Sequence, residues 1–346
     1  MPGRPFDAVL VVAFGGPEGL QDIRPFLANV LRGRRVPPER VEEVAAHYER
    51  FGGVSPLTAI TLRQAEGLRA RLLKKGIDIP VYLGMRNWHP LLPDVVRTMA
   101  GAGVRRAIGF ICAAHRSYSS CTQYRQNVVD ARAENAAAGL RDVSVTYVGD
   151  WHTHEKFVEV NARHVREALG ALPEAVRPSA RIVFTAHSIP VSMPGADRYR
   201  AQLLESASLV AERLGRPDWT LVFQSRSGRP EDPWLEPDVC QYLRAERARG
   251  LAAAVLCPIG FLCDHVEVLY DLDHEAAAVC HEIGLPMARA QTVNDDAVFL
   301  DMMAEVVQLT WERYRNGLPL PLAPLSPPAR VEGPPPFRAG PFQPAT

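Results

Sequence analysis

The sequence has no excess of either charge: 39 lysines and arginines stand against 39 aspartates and glutamates. A nucleic-acid-binding protein ordinarily carries a basic surplus to meet phosphates, so that class is set aside, although a local charged cleft is not. There is no run of about eighteen apolar residues, the length that a membrane-crossing helix needs. The opening Met1-Pro2-Gly3-Arg4-Pro5 leads straight into a strand-like run. It lacks the charged, apolar and cleavage regions of a secretory signal in series, so a cytoplasmic protein is expected. The six cysteines, at 112, 121, 240, 257, 263 and 280, are then expected to be thiols or metal ligands rather than disulfides. Phosphate-binding signatures are missing too. No G-x-G-x-x-G follows the first strand-like run and no G-x-x-x-x-G-K-[ST] occurs anywhere. Gly15-Gly16-Pro17 therefore reads as a tight turn at a close approach.

What is present is alternation. Apolar runs at Ala8–Phe14, Val81–Met85, Ala107–Cys112, Val143–Val148, Ile182–Ala186, Leu221–Gln224, Ala252–Cys257 and Met287–Ala290 read as strands. Several are apolar on consecutive residues, as strands covered on both faces are. Helix-length amphipathic stretches lie between them, among them Leu57–Lys75, His154–Leu169, Tyr199–Leu214 and Asp295–Tyr314. Strands alternating with helices predict βαβ units and parallel sheets. The expected fold is α/β, with an N-terminal domain over 1–150 and a C-terminal domain over 151–317, whose last helix is free to pack back on the first. Beyond them, 318–346 is dense in proline, which bars regular helix, and is expected to be a disordered tail without a role.

In open parallel sheets ligands bind beyond the carboxyl ends of strands. His187, in "FTAHSIP" (184–190), follows the end of a strand and should point into a cleft; the bland alternative is a buried ring satisfied by a backbone carbonyl. The run "CPIGFLCDHVEVLYDLDHEA" (257–276) has the same layout. Within it, Glu267, Asp271 and Glu275 recur at i, i+4 and i+8, which on a helix stacks three carboxylates along one face. No lysine or arginine lies between Asp264 and Glu282 to offset them. A solvated acidic face is the ordinary outcome of such spacing. Here Val266, Val268, Leu269 and Leu272 supply a buried side, and the acidic row begins near a strand end. A row of carboxylates there would draw in a hard or borderline divalent cation. Other strand ends, "MRNWHP", "AAHRSYSSCTQY" and "FQSRSGRPEDPWLEPDV", bring arginines, aromatics and hydroxyls toward one rim. For Trp88, Trp234 and Tyr124, core packing competes equally with ligand contact.

With these residues assembled, the sequence resembles the ferrochelatases, the family that inserts ferrous iron into a porphyrin. "AFGGPEG", "HYERFGGVSPL", "GMRNWHP", "YSSCTQY", "FTAHSIP", "QSRSG…PWLEPDV" and "PIGF…DHVEVLYDLDHE" match it in order, over about residues 7 to 316. The wording is most similar to the soluble actinobacterial-type enzymes acting on coproporphyrin III. The resemblance implies two similar Rossmann-like domains with a cleft between them, porphyrin and ferrous iron as substrates, and a place in heme biosynthesis with transient contacts to other enzymes of that pathway. It implies that His187 is the active-site histidine, that Glu267 is the carboxylate across the porphyrin from it, and that the two form the metal-site pair. Asp271 and Glu275 become the acidic ridge that guides metal inward. Ser55 and Tyr124 match porphyrin-contacting positions. Phe14 stands where some members have a tyrosine able to ligate product iron.

The resemblance also raises a [2Fe–2S] cluster, which some members hold through one mid-chain cysteine and three near the C-terminus. Cys121 matches the mid-chain position, but the tail has no cysteine. Cys112-x8-Cys121 with Cys257-x5-Cys263 would be a different four-thiolate set, against which stand six reduced thiols. His187 would serve as acceptor of pyrrole protons with Glu267 on the metal side, or both would ligate iron; the sequence leaves the two open. The rival functions are a cobalt-inserting chelatase of tetrapyrrole synthesis and a non-catalytic tetrapyrrole or metal carrier.

Overall fold

The computed structural model describes residues 4–33, 36–227 and 231–318; the expected proline-rich tail lies outside them except for its first residue. Eight strands form where the apolar runs predict them. They are β1 (Ala8–Ala13), β2 (Val81–Met85), β3 (Arg106–Ile111), β4 (Ser144–Tyr147), β5 (Ala180–His187), β6 (Trp219–Gln224), β7 (Ala253–Cys257) and β8 (Met287–Arg289). Each residue of β1 is buried, as is each of β7, because helices cover both faces.

The strands make two four-stranded sheets, ordered β2-β1-β3-β4 and β6-β5-β7-β8. Every pairing is parallel. The two orders are the same pattern used twice. In each, the chain moves from the first strand to one side and then returns to the other. The change of direction falls between β1 and β3 in one sheet and between β5 and β7 in the other. A crevice for ligands opens at the carboxyl ends of strands at such a switch point.

The chain forms two compact units. The first takes the chain through Val160, then Leu262–Val266 and the stretch from Val293; the second takes Asn161–Phe261 and Glu267–Thr292. The first unit extends beyond the division expected at Asp150-Trp151 for a packing reason. Trp151 stacks on Phe110 of β3 at 5.5 Å and meets Phe157 and Phe299 at 5.4 and 5.9 Å. Phe299 belongs to the last helix, Ala297–Arg315, which starts at an Asp296 cap accepting from Val298 N–H. It packs on the helix Pro56–Lys74 of the same unit. Arg71 and Arg63 reach Asp301 and Asp295 there at 2.5 and 2.6 Å.

In the second unit, the turn after β7 lies flat on β5. Gly260 N–H donates to the Thr185 carbonyl at 3.1 Å. A Cβ at Gly260 would fall 2.5 Å from Ala186 Cβ. That glycine lets the two strand ends on either side of the switch point approach closely.

Candidate active site

His187 is the last residue of β5 and stands in register with Gln224, the last of β6. Its Nδ1 lies 2.5 Å from the Ser188 carbonyl. A carbonyl only accepts, so Nδ1 is the donor here, and in the neutral ring Nε2 is the nitrogen with the lone pair. Nε2 is 3.9 Å from Glu267 Oε2, with the two side chains 35% and 40% exposed. That is too long for a hydrogen bond. It is within the span of two ligands on one ion, given metal–ligand bonds of about 2.1 Å for a borderline divalent cation. The Tyr199 hydroxyl donates to the His187 carbonyl at 3.2 Å and anchors the strand end.

The expected placement of Glu267 across the ring from His187 is set against this short separation of the two side-chain tips. A flat macrocycle between them would need about 7 Å, two van der Waals contacts of roughly 3.5 Å. In this structure the two groups stand 3.9 Å apart at their tips.

The acidic row is also built differently from the α-helix expected. A single turn, Val266–Val268, opens into a π-helix over Leu269–Ala276 before α-helical geometry resumes at Ala277–Glu282. Wider i→i+5 turns of this kind concentrate at functional sites. Val268, Leu272 and Ala276 are buried, which leaves Glu267, Asp271 and Glu275 on the other side. Glu275 is exposed while Glu267 and Asp271 are partly buried, so the row runs from solvent inward. Asp271 accepts from the Ser225 hydroxyl and, at 3.2 Å, from the Gln224 amide. Burial pushes its carboxyl up to about 7; Glu267 and Glu275 add to the rise, and Ser225 and Gln224 oppose it. This group therefore gains and loses a proton near neutrality.

Gln224 ties these parts together. It is 1% exposed. Its Oε1 accepts from the Thr185 hydroxyl at 2.7 Å, and its amide reaches the Glu267 carbonyl at 3.4 Å as well as Asp271. Gln224 and Ser225, within "QSRSG", are site residues that the sequence alone does not single out. The available signal was two polar residues closing an apolar strand. The positive φ of 61° at Ser225 leaves no mark in the sequence.

The remaining expected residues lie in the first unit. Phe14, just past β1, is half-buried and meets Phe26 edge-on at 6.2 Å. Ser55 is 4% exposed and Tyr124 is 6% exposed. Gly16 packs on Ser55, and the Arg86 guanidinium lies 5.8 Å from the Tyr124 ring centre.

The four-cysteine set for a cluster is not assembled. Among the described residues, no group of three or more His, Cys, Asp or Glu side chains is disposed to hold a metal ion. Cys112 and Cys263 instead flank the Gln64 amide, at 4.0 and 3.7 Å. Burial raises all four thiols, against the thiolate form that iron requires.

Among solved structures, SirB from Bacillus subtilis with Fe3+ superposes with a TM-score of 0.55 at 12% identity, covering 89% of this chain and 97% of that one. At that identity the likeness concerns the fold. The sequence itself decides the family, because the family model described as Ferrochelatase matches residues 6–310. The chain belongs to the ferrochelatase family. Similar relatives are the coproporphyrin III ferrochelatase of Mycolicibacterium smegmatis, 43% identical over 96% of this chain and 95% of that one, and that of Streptomyces coelicolor, 44% identical over 89% and 86%. A ferrochelatase of Rhodopirellula baltica is 44% identical over 88% and 86%. As a ferrochelatase family member, the protein is an enzyme that inserts ferrous iron into a porphyrin in heme biosynthesis.

Proposed function

We propose that the porphyrin is coproporphyrin III, that His187 accepts pyrrole protons, and that Glu267 receives the iron. The observation that carries the site reading is the His187–Glu267 pair, 3.9 Å apart, at the carboxyl ends of β5 and β7 where the sheet order reverses. The substrate reading rests on relatives described as coproporphyrin III ferrochelatases.

Metallation replaces two pyrrole protons with one Fe²⁺. The ring must bend to turn its nitrogen lone pairs out of plane, at a strain of roughly 1–5 kcal/mol drawn from binding elsewhere on the macrocycle. His187 Nε2 is the base, since Nδ1 donates to Ser188; it takes one proton at a time, and the 35% exposed ring releases the first to solvent before it takes the second. Glu267 beside it offers a carboxylate to an incoming hard or borderline cation. Glu275 and Asp271 supply the approach. Asp271, whose carboxyl is pushed up to about 7, can exchange its proton for the ion's charge as iron passes.

No cluster enters this scheme, because the cysteines do not form a ligand set. Freshly purified protein is expected to be colourless in the visible; stoichiometric iron with labile sulfide would overturn that. A cytoplasmic setting belongs to the same proposal, supported by six cysteines that are all free thiols, as a reducing compartment keeps them. No helix among the described residues is long and apolar enough to cross a membrane. The deciding experiment is anaerobic turnover with Fe²⁺, running coproporphyrin III beside protoporphyrin IX. Faster turnover of coproporphyrin III is expected. Preference for protoporphyrin IX would overturn the substrate, and turnover with Co²⁺ alone would favour the cobalt chelatase.

A further inference from the structure

Gln224 carries no charge, yet three elements meet on its amide. Thr185 and His187, two residues apart on β5, point to the same face of the sheet. Gln224 pairs with His187 in register and its side chain bonds to Thr185, so it rises from that face as well. Thr185 is fully buried, and its hydroxyl donates to Oε1 at 2.7 Å. That bond turns the amide nitrogen toward the acidic row. There Nε2 faces two acceptors, an Asp271 carboxylate oxygen at 3.2 Å and the Glu267 backbone carbonyl at 3.4 Å. The Ser225 hydroxyl donates to the same Asp271 oxygen. One side chain must therefore accept at one atom and donate twice at another. A primary amide does this; an ionised glutamate of the same length only accepts, and a methionine does neither.

The places of Glu267 and Asp271 follow from that amide. The Glu267 carbonyl is main chain, so holding it fixes where the side chain starts, and from there the carboxylate comes within 3.9 Å of His187 Nε2. Asp271 is held through its carboxylate directly. Removing a group that orients the ligands of a metal ion lowers metal affinity or activity by about 10–100-fold. We propose that Gln224 is a positioning residue for iron insertion. At 1% exposure it meets neither substrate; it acts by setting Glu267 and Asp271 against His187, with Thr185 fixing which way its amide points. The inference rests on the reading of Glu267 as the group that receives the iron.

The test is anaerobic steady-state kinetics of the full-length protein with Fe²⁺ and coproporphyrin III, alongside urea midpoints. Gln224→Met keeps the length without the hydrogen bonds. It is expected to raise the apparent KM for Fe²⁺ at least tenfold and to leave that for the porphyrin within twofold. Looser packing alone would lower the midpoint and kcat and leave the iron KM as it was. A rise in iron KM below tenfold, or an equal rise for the porphyrin, overturns the proposal. Should Gln224→Met fail to fold, Thr185→Val and Thr185→Ser decide. The valine frees the amide to turn and is expected to raise the iron KM at least threefold; the serine keeps the hydroxyl and should stay within twofold. Equal values for the two overturn the proposal. Glu267→Gln, run in parallel, separates this inference from the reading beneath it. An unchanged iron KM there removes Glu267 from iron capture, whereas a rise there without one in Gln224→Met removes only the part assigned to Gln224.

Discussion

A histidine whose Nδ1 is committed to a backbone carbonyl can act only through Nε2, and at His187 that atom is turned toward Glu267. Replacing the ring with a methyl group removes the base but little of the surface that holds a macrocycle. His187→Ala is therefore expected to lose metallation by at least a hundredfold, the lower bound for general-base removal at about 10²-fold. Porphyrin affinity, read by fluorescence quenching, should stay within a few-fold. Turnover near that of the unaltered protein would remove His187 from the chemistry. Asp271 makes a different prediction, about stability. Its carboxyl is raised from 3.8 to about 7, chiefly by burial. Between those values the unfolded chain has released a proton that the folded chain still holds, so stability falls as pH rises through that window and levels off above it. Asp271→Asn keeps acceptors for Ser225 and Gln224 and has no proton to lose. In metal-free protein its advantage over the unaltered chain should grow from pH 4 to pH 7, by up to roughly 3 kcal/mol. Parallel pH–stability curves for the two would show that burial does not suppress this charge.

At the scale of elements, the close approach of the turn after β7 to β5 is the feature most exposed to a single methyl group. Gly260→Ala puts a Cβ 2.5 Å from Ala186 Cβ and 2.8 Å from its Cα, and a backbone atom cannot swing aside. Overpacking of this kind costs about 1–3 kcal/mol. It acts one residue before His187, so the urea midpoint and metallation should fall together. A variant with unchanged midpoint would mean the turn yields without cost. The same region separates what the sequence made legible from what it did not. All eight strands were readable, because a strand covered on both faces must be apolar on consecutive residues, as "AVLVVA" and "AAVLC" are. The carboxylate face at 267, 271 and 275 was readable from spacing, since α and π turns both bring residues four apart to one side. The π geometry was not: one extra residue per turn leaves no mark in an apolar pattern of this length. Nor was the role of Gln224, which depends on β6 lying beside β5, a pairing that no local pattern specifies. The 3.9 Å adjacency of His187 and Glu267 was hidden for the same reason.

At the scale of the whole molecule, the last helix returns to the first unit after the chain has built the second, so a segment late in the sequence completes a core begun at its start. Phe299, Met302, Met303, Ala304 and Val307 are each fully buried in that helix. Side chains the size of its phenylalanine, methionines and valine contribute about 1.5–3 kcal/mol apiece, a sum comparable with the 5–15 kcal/mol by which a whole domain is ordinarily stable. The ion pair that accompanies this packing is a much smaller matter. Asp301 opposite Arg71 is 48% exposed, and pairs that meet water contribute about 0–1 kcal/mol. Two substitutions two positions apart on the helix therefore separate the contributions of core and surface. Met303→Ala is expected to cost about 2–5 kcal/mol, from lost burial and the cavity left behind. Asp301→Ala should cost under about 1 kcal/mol. If urea unfolding shows two transitions, Met303→Ala should shift the one that includes the first unit and leave the other in place, and the part of the tryptophan emission lost in a Trp151→Phe background, Trp151 lying 5.9 Å from Phe299, should follow the shifted one. Equal losses for the two variants would mean that charge rather than packing fastens this helix.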